Sequence, residues 1–165
     1  QFETGVEKLL KSGYEHYEIS NFALPGHRSR HNSSYWSGEP YLGLGPSAHS
    51  YNGHSRQWNI ANTPLYIQHL QQEQIPAEIE QLSPTQQLNE YIMTALRTQE
   101  GLDLEKLAAR FGEQEKTDLL ERALPYFQQK QLENTLEGFR LSSAGKLFAD
   151  GIAADLFSDK KQTSH

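Results

Sequence analysis

The chain has 165 residues, 36% of them hydrophobic, with eight Tyr, seven Phe and two Trp, which is enough for one ordinary domain or two small ones with an aromatic-rich core. Its formal net charge of −6 argues against a general nucleic-acid binder, which needs clustered basic residues to displace counterions. The absence of cysteine excludes disulfides, thiolate zinc sites and iron–sulfur ligation by this chain, and no apolar run approaches the roughly 20 residues that cross a bilayer, so a soluble, cytoplasmic protein is expected.

Phe2, Val6, Leu9 and Leu10 recur at helical spacing, and Ser12-Gly13 ends that helix. Tyr14 to Phe22 reads as a strand, with Tyr17 and Ile19 on one face and His16, Glu18 and Ser20 on the other. The polar face fits either a barrel interior or substrate cavity, or a solvent-facing edge. A helix running into a strand is half of an α/β repeat, and a lone unit cannot bury its strand on both faces, so the rest of the sheet is expected elsewhere. Residues 23–40 read as a long loop, punctuated by Pro25-Gly26, Ser33-Ser34, Ser37-Gly38 and Pro40. Tyr41 to Gly45 reads as a second strand, whose two glycines suggest that something approaches the backbone. Residues 51–62 are polar and aromatic, Pro64 to Gln74 is predicted helical, and residues 76–82 form a linker or edge segment.

The pattern changes at Leu82. Ser83-Pro84-Thr85-Gln86 reads as a capping box opening a helix with Leu88, Tyr91, Ile92, Ala95 and Leu96 inward. Asp103 opens a short helix that Gly112 stops. Glu113 to Gln129 forms a third, with Leu119, Leu120, Ala123, Leu124 and Phe127 inward and a kink expected at Pro125. A hairpin spans Leu132 to Leu141 with its turn at Glu137-Gly138. A last helix runs from Ser142 to about Phe157 with Leu147, Ile152 and Leu156 inward, and the tail from Ser158 is expected to fray. Three helices followed by a small hairpin are the parts of a winged-helix domain.

Two clusters carry chemistry. Arg30-His31-Asn32-Ser33-Ser34-Tyr35-Trp36 offers an imidazole able to ligate iron, an arginine able to pair with a carboxylate, and flat rings able to stack on a macrocycle. The alternative is that Tyr35 and Trp36 anchor the loop and His31 caps a turn. Gly43-Leu44-Gly45-Pro46-Ser47-Ala48-His49-Ser50 leaves room for an adenine or carboxylate, or simply makes a tight strand-to-loop turn. It is neither a dinucleotide fingerprint nor a nucleophile elbow, so a hydrolase built on Ser47 or Ser50 with His49 is disfavoured.

Tyr17-Glu18-Ile19-Ser20-Asn21-Phe22-Ala23, Pro25-Gly26, the His31-Asn32-x-x-Tyr35-Trp36 piece and Tyr41-Leu42-Gly43-Leu44-Gly45-Pro46-Ser47-Ala48-His49-Ser50, in this order, closely resemble the HemW branch of the oxygen-independent coproporphyrinogen oxidase-like radical S-adenosylmethionine family. Leu96-Arg97, Gly101-Leu102 and Phe111-Gly112 resemble that family's shared C-terminal domain. The resemblance implies an α/β plus mostly-α fold. Residues 1–80 would be the C-terminal strands of a partial (β/α) barrel, residues 81–157 a winged-helix-like helical domain, and residues 158–165 a disordered tail. It implies heme binding by His31, Asn32, Tyr35 and Trp36, with His31 as the ligand to the heme iron. Gly43, Gly45, Ser47 and Ala48 would contact the adenosyl part of S-adenosylmethionine. Members of the branch are thought to deliver heme to respiratory proteins, whereas the oxidases act on coproporphyrinogen.

The family's [4Fe–4S] cysteine loop is absent here. The chain opens on Gln1 directly into a helical pattern, and it reads as a fragment without radical chemistry of its own. The alternative is a fragment of a coproporphyrinogen oxidase. A DNA-binding role for residues 83–157 is disfavoured, because the segment from Glu113 to Arg122 is acidic. Missing neighbour strands would leave unpaired edges and apolar faces, so a homo-oligomer is expected.

Overall fold

The computed structural model describes residues 2–36 and 38–159. The first helix, α1 (Phe2–Lys11), ends at Gly13, whose φ of +83° turns the chain sharply. A hairpin then stands where one strand was expected. β1 (Glu15–Glu18) pairs antiparallel with β2 (Asn21–Ala23), with a register irregularity between His16 and Glu18. The Glu18 carboxylate turns the chain back by accepting from the Ser20 amide at 2.9 Å and from the Asn21 side chain. His16 and Glu18 are consequently buried along with Tyr17.

The segment 23–40, read as loop, contains a short helix, α2 (Arg30–Trp36). Ser29 starts it: its hydroxyl accepts from the Asn32 amide at 3.2 Å and its carbonyl from the Ser33 amide at 2.9 Å. The strand expected over Tyr41 to Gly45 reduces to an isolated bridge between Tyr41 and Tyr51, and Leu42 and Leu44 are exposed. The sheet forms later in the chain, from β3 (His49–Tyr51), β4 (Ser55–Asn59) and β5 (Ala77–Gln81), antiparallel in the order β3-β4-β5. Asn52 makes the β3–β4 turn by accepting from the amides of His54 (3.0 Å) and Ser55 (2.7 Å). The helix α3 (Thr63–Gln71), capped by Asn62, connects β4 to β5, which forms an edge as expected.

The second part agrees closely with the sequence pattern. α4 (Pro84–Leu96) opens with the capping box, Gln86 N to Ser83 Oγ at 3.2 Å and Ser83 N to Gln86 Oε1 at 2.7 Å. After β6 (Leu102–Asp103), Asp103 caps α5 (Leu104–Phe111) by accepting from the amides of Glu105 and Lys106. α6 (Glu113–Gln128) leads to β7 (Leu132–Asn134) and β8 (Gly138–Leu141), and the sheet order is β6-β8-β7, all antiparallel.

The single last helix expected from Ser142 is divided into a 3-10 turn, Gly145–Phe148, and α7 (Ala149–Asp155). The Ser142 hydroxyl accepts from the Gly145 amide at 3.1 Å, and Gly145 lies so close to Gln131 O that a Cβ would stand 2.0 Å from it. Ile152 and Leu156 face inward, but Leu124 and Leu147 are half-exposed, because the sheet covers only one side of these helices. Ser158 is buried rather than frayed: Asn89 accepts from its amide at 2.7 Å and donates to its carbonyl at 3.1 Å. The expected tail over 160–165 lies outside the described residues.

The core draws its buried members from Leu88 to Leu156, led by Ile92, Leu96, Leu107, Leu119 and Phe139; among the described residues, only Ile19 of the first 80 packs against it. The fold is mixed α/β with small antiparallel sheets. No described strands pair in parallel.

Candidate functional site

The two most distinctive sequence pieces are joined by one polar network. Glu18 is 1% exposed, and its Oε1 accepts from Arg97 Nε at 2.9 Å while its Oε2 accepts from Ser20 and Asn21. Asn21 Oδ1 in turn accepts from Asn32 Nδ2 at 3.1 Å. The Arg97 guanidinium lies 5.3 Å from the centroid of the Trp36 ring. A carboxylate sharing three donors out of water is among the stronger polar anchors available to a fold. Asn32 and Trp36 therefore hold α2 against the β1–β2 hairpin and the end of α4.

His31 and Tyr35 stand one turn apart on α2, exposed, with ring centroids 5.3 Å apart and edge-on. The aromatic row continues from Tyr35 to Tyr41 at 4.4 Å and from Tyr41 to Tyr51 at 6.2 Å. Burial, and then the neighbouring Tyr35 hydroxyl, push the Tyr41 phenol up to about 12, so it is a neutral hydrogen-bonding group at ordinary pH.

This row borders a cleft of about 380 Å³, lined by Tyr35, Trp36, Tyr41, Tyr51 and Tyr91 together with His49, Arg56 and Arg110. That volume falls within the range of small-molecule sites, roughly 300–1,000 Å³. His31 does not line it. Two polar atoms of its lining residues, Trp36 Nε1 and Glu90 Oε2, are buried without a hydrogen-bond partner among the described residues, at a cost of about 1–3 kcal/mol each. His49, which the sequence places in the glycine cluster beside Ser47 and Ser50, also lines this cleft. Its signal is the strand period: His49 and Tyr51 are two apart on β3 and line the same cleft.

The glycine loop packs against its own chain. A Cβ on Gly43 would stand 2.1 Å from His49 O, so what approaches the backbone there is the chain itself. All four amides in question donate internally: Gly43 to Ser50 Oγ (3.0 Å), Gly45 to Tyr66 OH (3.2 Å), Ser47 to Ile60 O (3.3 Å) and Ala48 to Gly45 O (3.3 Å). Gly45 and Ser47 both adopt positive φ, +100° and +61°.

A larger cleft of about 790 Å³ lies between α1, β1 and the 3-10 turn. On its wall, His16 stacks on Phe22 at 4.2 Å, donates from Nε2 to Ile19 O at 2.8 Å, and receives the Lys146 ammonium at Nδ1 at 3.3 Å. Burial pulls both His16 and Lys146 below their ordinary values. Among the described residues there is no group of three or more His, Cys, Asp or Glu able to hold a metal ion, and no helix is long and apolar enough to cross a membrane.

Residues 82–148 match the HemN C-terminal domain family. The chain is 35% identical over 150 residues to the heme chaperone HemW of Lactococcus lactis, covering 86% of this chain and 39% of that protein. It is 31% identical over 157 residues to HemW of Mycobacterium tuberculosis H37Rv, covering 94% of this chain and 38% of that protein. A solved structure of coproporphyrinogen III oxidase (HemN) from Escherichia coli, described as a radical SAM enzyme, superposes with a TM-score of 0.69 at 16% identity, covering 94% of this chain and 40% of that one. At that identity the likeness is one of fold. The chain thus spans less than two fifths of the length of these curated relatives.

Proposed function

The chain belongs to the HemN/HemW family of radical S-adenosylmethionine proteins, and from that premise we propose that it is the heme-binding and docking portion of a heme chaperone. The observation that carries this reading is the His31-Asn32-x-x-Tyr35-Trp36 helix set beside an aromatic cleft. His31 is the motif's own imidazole and is exposed, hence open to a heme iron; Tyr35 offers a ring to the macrocycle, while Asn32 and Trp36 fix the helix that presents both.

Residues 1–80 are read as the last part of a partial (β/α) barrel. Residues 81–157 are read as a winged-helix-like domain, supported by its order of helix, strand, two helices and hairpin. Residues 158–165 are its tail. With no cysteine in the chain, its residues do not fit a [4Fe–4S] cluster, and no radical step is assigned to them. S-adenosylmethionine, bound beside a cluster held elsewhere, would supply radical chemistry. Toward its adenosyl group Gly43, Gly45, Ser47 and Ala48 would offer little side-chain bulk, and not amides, since those amides are already used. The receivers of the heme would be respiratory proteins. A coproporphyrinogen oxidase fragment is the second reading, and it rests on the shared fold alone.

Hemin added to the chain is expected to give a Soret band that weakens in His31→Ala. A wild-type chain that leaves the hemin spectrum unchanged would end the heme reading; an unchanged spectrum in the variant alone would remove His31 from the site.

A further inference from the structure

The imidazole of the motif lies outside the cleft that the motif helps to build, whereas another imidazole lines it. We propose that the cleft between α2, β3 and the α4–α5 pair seats the tetrapyrrole, with His49 as an iron ligand and Arg110 as the anchor for a propionate. This rests on the heme reading above and departs from it at the ligand, since a ring seated in the cleft takes its imidazole from His49 and not from His31, which lies outside the lining.

Three observations converge. The walls are flat rings, Tyr35, Trp36 and Tyr91 among them, suited to a planar aromatic body. The two arginines at the cleft differ: Arg56 is paired with Glu90, while Arg110 reaches only neutral oxygens, Gly53 O at 3.3 Å and Gln87 Oε1 at 3.4 Å, and has no carboxylate partner among the described residues. A guanidinium so placed is free to take a carboxylate in a two-point contact. His49 is exposed at the head of β3 and belongs to the lining of the same cleft. Trp36 and Glu90, from the same lining, each carry a buried polar atom without a partner among the described residues, as expected where a ligand or its bound solvent completes the wall.

The test uses the chain with hemin and with hemin dimethyl ester, whose propionates are blocked. Wild type is expected to bind hemin roughly tenfold more tightly than the ester, the effect of one charge-assisted pair. Arg110→Met should erase that preference while still binding the ester, a ratio that partial misfolding alone would not change. His49→Gln should shift the Soret maximum and weaken hemin binding roughly tenfold or more, with the circular dichroism spectrum checked alongside. If His49→Gln and Arg110→Met both bind hemin as wild type does, while His31→Ala loses it, the cleft is not the seat, though the heme reading survives. If the wild-type chain binds neither ligand, both proposals fall.

Discussion

Residues 88–156 and the first 82 residues are held together by different means. The later region buries a contiguous apolar cluster, with Ile92, Leu107, Leu119 and Phe139 fully out of water. The earlier one buries His16, Glu18, Ser50, Ser55 and Asn59, but among the described residues only Tyr17 and the boundary residue Leu82 of its large apolar side chains are buried. Leu42, Leu44, Ile75 and Ile79 stay exposed. Apolar burial is non-directional and tolerates small adjustments, whereas a buried polar group needs its particular partner. The earlier region therefore depends on single bonds, such as Asn59 Nδ2 to Gly45 O at 2.9 Å, and this polar region carries the conspicuous motifs.

The comparison breaks most easily at Phe139. Its truncation, Phe139→Ala, should cost about 3–5 kcal/mol and lower the melting temperature by on the order of 10 °C. Leu44→Ala, at a site 82% exposed, should stay within about 0.5 kcal/mol of wild type. Thermal melts of the two variants side by side check this. Similar losses in both would mean that the exposed leucines are covered by something that supports the fold.

Glu18 sharpens it next. Glu18→Ala removes the buried one of Arg97's two carboxylate partners, leaving the exposed Asp150 at 3.1 Å, and releases both Ser20 and Asn21. With Arg97 about a quarter exposed, the loss should be about 2 kcal/mol, below the 3–5 kcal/mol of a fully buried pair. Hydrogen exchange should show the effect confined to the hairpin and α2, with the amides of Ile92 and Leu96 protected as before. Uniform loss of protection would mean that the two regions fold as one cooperative unit.

How much of this was legible depends on how far each residue's partner lies along the chain. The Ser83–Gln86 box, the Asp103 cap and the Gly112 stop were readable because each acts within three or four residues. The hairpin at Glu18 was not, because the carboxylate that turns the chain is fixed by Arg97, 79 residues away. Alternation over Tyr14 to Phe22 looked like one strand for the same reason. The Ser29 cap was local, yet it was masked by the turn-forming residues around α2. Leu124 and Leu147 matched an apolar stripe whose outer edge stays half-exposed. At the candidate site the motif positions could be read. Their division into Asn32 and Trp36 as fasteners and His31 and Tyr35 as presented groups could not, since it arises from a network spanning three separate segments.

The smallest effect expected is a pH dependence at His16. Burial lowers its proton affinity most, Ile19 O opposes this as an acceptor, the Lys146 ammonium lowers it further, and the Glu18 carboxylate raises it. Glu15, Glu133 and Arg140 share its cleft. In the folded chain the ring thus stays neutral to a lower pH than its ordinary 6.5, while in the unfolded chain it takes up a proton from about that pH downward. Between the two values the unfolded state binds more protons, so stability rises with pH through that window. It is fully present above 6.5 and lost as the pH falls toward and through the lowered folded value. His16→Phe keeps a ring against Phe22 and removes the titration. Urea midpoints compared between about pH 7 and about pH 5.5 should fall less in this variant than in wild type. Parallel slopes in the two proteins would show that His16 is protonated alike in the folded and unfolded states, and that its contact with Lys146 is too loose to keep a proton off the ring.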